Sequence, residues 1–329
     1  MKVLPWLVCT ISLAALRGQQ EATTLAALSN KADSIVVATA VAATDPSPEF
    51  HRVEFRTEQT LKGPVAGNFA VIEPAGRCCG RALSTLAVGD RVLAFLSLRG
   101  GALHPLGGDR GVLRASDGLV THVQDLLQPA SSERKGALLA NALASTEPRV
   151  RADAALALAQ LPAVPLDSAS HAKVLAALDQ EIAAGSNRIP ALVTASVRFV
   201  GDAAAPALVR AYVRADAEDR ALAVARGLLQ LSAVAIHQAL AAEVLADEAA
   251  QQRACALASA KPDPISIPML TRMLDAHPRV ALAAAEALLA TGVAPATLAP
   301  RTDAAVLDTA IQRRSKLPQL RVVAPGGLR

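Results

Sequence analysis

The chain of 329 residues is 52% hydrophobic yet only 2% aromatic, and 73 alanines make up the difference. Its formal charge is +4, with no long basic run beyond Arg313-Arg314-Ser315-Lys316, so the electrostatic footprint of a nucleic-acid binder is missing. Five Phe, one Tyr and one Trp cannot build a base-stacking platform, and so many apolar residues exclude a disordered chain.

The first residues read as an export signal. Lys2 precedes an apolar run, Val3 to Leu16, broken only by Pro5, Thr10 and Ser12. Its 14 residues suit a signal core and fall short of the ~20 that a bilayer span needs. Small residues in Ser12-Leu13-Ala14 and Gln20-Glu21-Ala22 offer cleavage points, so residues 1–22 are expected to be removed. Without Lys2, Arg17 and Glu21 the mature chain holds 31 positive and 28 negative side chains. No later apolar stretch lacks charges and polar breaks. The expectation is an exported protein (periplasmic, cell-envelope or secreted) with no integral membrane segment after cleavage.

Strand signals follow. Ser34 to Val41 is a β-branched run suited to a central strand, and residues 51–60 alternate Val53, Phe55 and Thr57 against Glu54, Arg56 and Glu58. Lys62-Gly63-Pro64 then turns the chain. Phe69 to Ile72 and Arg91 to Leu98 add two strands. Residues 103–106, 111–115 and 119–123 give three shorter ones, separated by Gly107-Gly108 and Asp117-Gly118. Six or seven short strands in this stretch predict a small β-barrel or sandwich.

Near residue 128 the composition shifts. Four of the five Phe and 12 of the 19 Gly precede it, while Ala rises from 18 of 127 residues to 55 of 202. Dense Ala and Leu without Gly predict helices, and Ala lets them pack closely. Glu147-Pro-Arg-Val-Arg-Ala-Asp-Ala-Ala-Leu-Ala-Leu158 and His277-Pro-Arg-Val-Ala-Leu-Ala-Ala-Ala-Glu-Ala-Leu288 repeat one pattern. Each has Pro in the first turn, where its missing N–H costs nothing. Weaker copies start at Asp219 and Gln252, and partner helices fit 171–182, 205–213, 236–245 and 265–274. Self-similarity at this spacing predicts an α-solenoid of helix pairs over 130–316, with a tail at 317–329.

These segments resemble HEAT repeats of the short bacterial kind. The resemblance implies a stacked helical array whose concave face binds another protein. Some members of that group attach bilin pigments, but no position here matches that activity. Residues 30–125 resemble the netrin/TIMP-like (NTR) module, an OB-type β-barrel. The matching stretches are Ala32 to Val41, Phe55 with Thr60-Leu61-Lys62-Gly63-Pro64, Cys79-Gly80 with Leu83, and Val88 to Leu96. The resemblances together imply a multidomain β plus α chain. Inhibitors in the NTR group grip a protease zinc through a Cys-x-Cys start, and no Cys lies between Thr10 and Arg77 here.

Candidate site residues are few. Cys78, Cys79 and Cys255 leave the mature chain an odd number of thiols. The adjacent pair reads as structural or mutually oxidised, and Cys255 as a buried thiol. A disulfide between Cys255 and the pair, or a metal or redox role for the pair, are the alternatives. The six His lack metal-site spacing, and no nucleophile elbow, phosphate loop or dinucleotide fingerprint occurs. No catalytic set, cofactor or metal is expected. Arg77 and Arg81 flank the Cys pair in a loop that could make contacts. By resemblance, second helices line the inner curve of a HEAT array. Their outward positions, Arg151, Asp153, Arg220, Arg226, Gln252 and Arg279, are then the partner contacts.

The expected function is that of a non-enzymatic interaction protein binding a protein partner. A TIMP-like protease inhibitor or regulator is the alternative, lacking its N-terminal Cys. A lyase-like enzyme is the third, lacking residues to carry chemistry. N-terminal sequencing of the exported protein should begin between residues 14 and 24, and Met1 intact in cytoplasmic material would overturn the export reading.

Overall fold

The structure is a computed structural model that describes residues 24–47, 50–74, 83–106 and 111–316. The expected signal, 1–22, and the tail, 317–329, lie outside these residues. Thr24 opens helix α1 (Leu25–Lys31) by accepting the Ala27 N–H, one of the donors that a helix start leaves orphaned. Six strands follow among the described residues: β1 (Ser34–Ser47), β2 (Phe50–Lys62), β3 (Asn68–Pro74), β4 (Arg91–Arg99), β5 (Ala102–Pro105) and β6 (Val112–Arg114). All pair antiparallel in the order β3-β2-β1-β4-β5, and β6 shares the outer edge of β4 with β5.

The unbroken apolar runs in β1 and β4 have a simple cause. Both strands are covered on both faces, so neither needs a polar side. Ile35 pairs with Phe95 and Val37 with Leu93, and these four pack against Leu25 and Leu28 of α1. The alternate residues, Val36 with Ala94 and Ala38 with Val92, face the other way, toward Val53, Phe55 and Val71. The β1–β2 register slips at four places, and such bulges bend a strand and tighten its twist. The sheet therefore curls until β3 comes alongside β5, making a half-barrel. At the turn after β2, Gly63 holds φ at +77°, and a Cβ there would lie 2.2 Å from the Asp33 carbonyl oxygen. Only glycine fits. On the polar side Glu58 accepts from Thr39 and from Arg91, whose other arm reaches Asp117 at 2.9 Å. The Thr39 bond, then the Arg91 bond, hold the Glu58 carboxyl below the usual glutamate range.

One expected strand is a helix. Residues 119–123 lie within α2 (Asp117–Leu127), where the Ser116 side chain accepts the Leu119 N–H and Asp117 sits in the first turn. Leu119, Val120 and Val123 share one helical face and join the core beneath β1 and β4. Five residues can satisfy either period, and the capping Ser decided it. Two helices complete this part: α3 (Ser132–Ala142) and α4 (Pro148–Gln160). Val150 of α4 belongs to the same core as Leu25, Phe95 and Val120. Contacts group the chain into two compact units, one ending at Pro162 and one beginning at Ala163. The compositional shift near residue 128 falls inside the first.

The second unit is helical among its described residues. Its helices are α5 (Ser168–Ala183), α6 (Ile189–Ala195), α7 (Ala205–Val213), α8 (Glu218–Leu228), α9 (Ala233–Ala242), α10 (Glu248–Ala260), α11 (Ile267–Met273), α12 (Pro278–Ala290), α13 (Pro295–Leu298) and α14 (Ala304–Lys316). Consecutive helices pack as pairs, α5 on α6, α7 on α8 and α11 on α12. First helices touch first helices (α5 with α7, α7 with α9), and second touch second (α6 with α8, α10 with α12, α12 with α14). Ile189–Val213, which includes a π turn at Ser196–Val200, is long and apolar enough to cross a membrane; 56% of its most apolar window is buried within the protein.

Close approach is built into this layer. A Cβ added at Gly227 of α8 would fall 2.3 Å from Cγ1 of Val193, itself buried on α6. Alanine's better helix propensity is worth about 1 kcal/mol, whereas overpacking costs about 1–3 kcal/mol. Gly227→Ala should therefore lower stability on balance, read as a reduced denaturant midpoint. A raised midpoint would mean that α6 yields without cost.

Candidate functional site

A cleft opens in each unit. In the first unit a cleft of about 570 Å³ opens between α2 and α3 over Val150 of α4. Helix α2 brings Thr121, His122 and, from its last turn, Asp125 to it, and α3 brings Arg134 and Asn141. His122 is 5% exposed, and its Nε2 lies 3.5 Å from Oδ2 of Asp153, a separation too long for a proper hydrogen bond. Both atoms are enclosed without a hydrogen-bond partner. The second carboxylate oxygen of Asp153 accepts the Leu25 N–H at the start of α1.

Asp153 was expected among the outward positions, and the structure corrects this. It is 5% exposed and turned inward, because α1 and α2 cover the face of α4 that carries it. A carboxylate at the first N–H of a helix is favoured by the helix dipole, which offsets part of its burial. The repeat pattern hinted at this. Position 153 of the first copy corresponds to Ala283 in the second, so a charge stands where the repeat otherwise keeps a small apolar residue.

The other candidates are spread along the helices. Arg151 donates to the carbonyls of Ser145 and Thr146 at 2.8 and 3.1 Å and so braces the α3–α4 turn. Arg220 sits in the second unit's cleft, about 460 Å³ in volume, at the turns that join α5 to α6 and α7 to α8. There it pairs with Asp216 at 2.6 Å and fills the space a side chain at Gly185 would need. Arg214 on the same rim pairs with Glu243 at 2.6 Å. Arg226 and Arg279 are exposed on α8 and α12. Gln252 on α10 is half-buried and donates to Glu248, which also lies 3.4 Å from His277 at the start of α12. Arg226, Gln252 and Arg279 thus stand on three second helices of one unit, and the structure does not gather the remaining candidates with them.

Arg77, Cys78, Cys79 and Arg81 lie outside the described residues. Cys255 carries a buried free thiol 3.5 Å from the Met273 sulfur, and desolvation pushes its pKa up to about 12. Such a thiol is inert toward metals and oxidants at neutral pH. No group of three or more His, Cys, Asp or Glu among the described residues could hold a metal ion. Sequence reasoning treated His122 as one of six isolated histidines. Its partner comes from another helix, so no local spacing could flag the pair. Set against protein-family models and against curated proteins, the chain matches none.

Removing the buried carboxylate tests the first cleft's foundation. Asp153→Ala orphans the Leu25 N–H and should cost about 2–4 kcal/mol in chemical denaturation. Asp153→Asn keeps an oxygen for that N–H and should cost distinctly less. Equal losses would mean that charge, rather than the hydrogen bond, carries the effect.

Proposed function

We propose that the chain is an exported, non-enzymatic protein-interaction protein, built as an NTR-like OB-type barrel followed by a HEAT-like α-solenoid. The observation that carries this reading is the layering of the second unit. Second helices contact second helices at α6–α8, α10–α12 and α12–α14, and first helices contact first helices at α5–α7 and α7–α9. Stacked pairs bury their shared faces and leave one extended row of outward positions, which is how solenoids present binding surfaces. The curled antiparallel sheet supports the barrel half, and Lys2 with its apolar run supports export.

The contact row narrows once burial is taken into account. Asp153 is turned inward, Arg151 is engaged by turn carbonyls, and Arg220 is tied to Asp216. Gln252 is half-buried and bonded to Glu248, so Arg226 and Arg279 are left as the partner-facing residues, on a protein partner rather than nucleic acid, with no cofactor required. Exposed charges of this kind steer association and set specificity more than they stabilise the fold.

The test is a double reversal, Arg226→Glu with Arg279→Glu, in the full-length protein. Proteins captured from the exported fraction by the parent chain are measured against both forms. Binding should fall about tenfold or more while the melting temperature stays unchanged. Undiminished binding would remove the second-helix face and leave Arg77 and Arg81 as the candidate contacts.

A further inference from the structure

The floor of the α2–α3 cleft is not explained by packing. Buried polar atoms nearly always find a partner, and Nε2 of His122 and Oδ2 of Asp153, 3.5 Å apart, have only each other. Asp153 cannot turn away, because its other oxygen is held by the Leu25 N–H. A carboxylate fixed there favours the imidazole tautomer with its hydrogen on Nε2, and the ring then offers Nδ1 as an acceptor. The residue is 5% exposed and lines the cleft, so the small edge of it that solvent can reach opens there.

The walls carry opposite charges. Asp125 comes from α2 and Arg134 from α3, and neither forms an ion pair among the described residues. Leu138 and Val150 supply apolar surface between them. The cleft's volume of about 570 Å³ falls within the range of small-molecule sites.

We propose that this cleft binds a small zwitterion of amino-acid or dipeptide size. Arg134 takes the carboxylate, for which a guanidinium fork offers two parallel donors. Asp125 takes the ammonium, and His122 accepts a hydrogen bond from a ligand N–H. A dianion would meet Asp125, a dication would meet Arg134, and a neutral molecule would leave both wall charges unanswered. The site is independent of the partner face on α8 and α12, so either reading can fail without the other.

The experiment uses the full-length protein and L-alanyl-L-alanine as probe, followed by calorimetry and by the NMR signals of the His122 ring. Saturable binding that moves those signals is expected. The N-acetylated and C-amidated forms of the dipeptide should each bind about tenfold more weakly or worse. Arg134→Gln and Asp125→Asn, both at exposed positions that leave the fold intact, should weaken the free dipeptide to the same degree. No saturation at about 10 mM would overturn the proposal, as would blocked dipeptides or wall variants that bind as well as the parents.

Discussion

The carboxylate of Asp153 stands where three helices of the first unit meet, and much of that unit's arrangement depends on it. One oxygen satisfies the first N–H of α1, and the other faces the imidazole of α2, while its own helix lowers Val150 into the core beneath β1 and β4. An isolated buried carboxylate is costly, by several kcal/mol even after relaxation. It is tolerated here because it meets the positive end of one helix and the polar edge of a ring at once. The helices that cover the sheet are therefore fixed to one another by a polar contact as well as by apolar burial. The same contact sets the His122 ring at the bottom of a cleft.

Curvature of the sheet follows from which residues occupy its two faces. The helix-facing side of β1 and β4 carries Ile35, Val37, Leu93 and Phe95, all large. The opposite side carries Ala38, Ala40 and Ala94 among its residues and also gathers Val71 of β3 and Leu103 of β5. Residues from both edges can meet there only on the concave side of a strongly curled sheet. Small side chains on that side let the strands close, and the bulges between β1 and β2 supply the bend. Phe55 and Phe69, stacked at 5.3 Å on neighbouring strands, fill what the alanines leave.

How much of this could be read from the chain depended on how local each signal was. β1, β2 and β4 were legible because β-branched runs and strict alternation are properties of the strand itself. The Pro-Arg-Val helices and α7 were legible because capping and composition lie within a dozen residues. Helix α2 was misread, since Leu119 to Val123 is too short to separate the two periods. The His122–Asp153 pair and the Asp153–Leu25 bond were invisible, the latter joining residues 128 apart in sequence. Asp153 was placed outward because a repeat considered alone has only helical neighbours, and here α1 and α2 add a second set.

The two clefts differ in whether their charges already have partners. Around the second unit's cleft the turns are laced together, Arg188 to Glu181, Arg220 to Asp216 and Arg214 to Glu243. The more exposed Arg220–Asp216 pair contributes about 0–1 kcal/mol, while the carboxylates of Glu181 and Glu243 are largely enclosed, and together the three fix how successive turns lie. Stability there comes instead from buried Ala and Leu, dense enough that Gly227 has no room for a methyl group. A ligand entering that cleft would have to displace ion pairs already made. In the first unit the wall charges of Asp125 and Arg134 are unspent, and the His122 ring lines the cleft between them. Binding there would pair wall charges that folding left without a partner. By this criterion the compact cleft suits a small charged molecule, while the helical row, whose outward residues stand apart on separate helices, suits the broad surface of another protein.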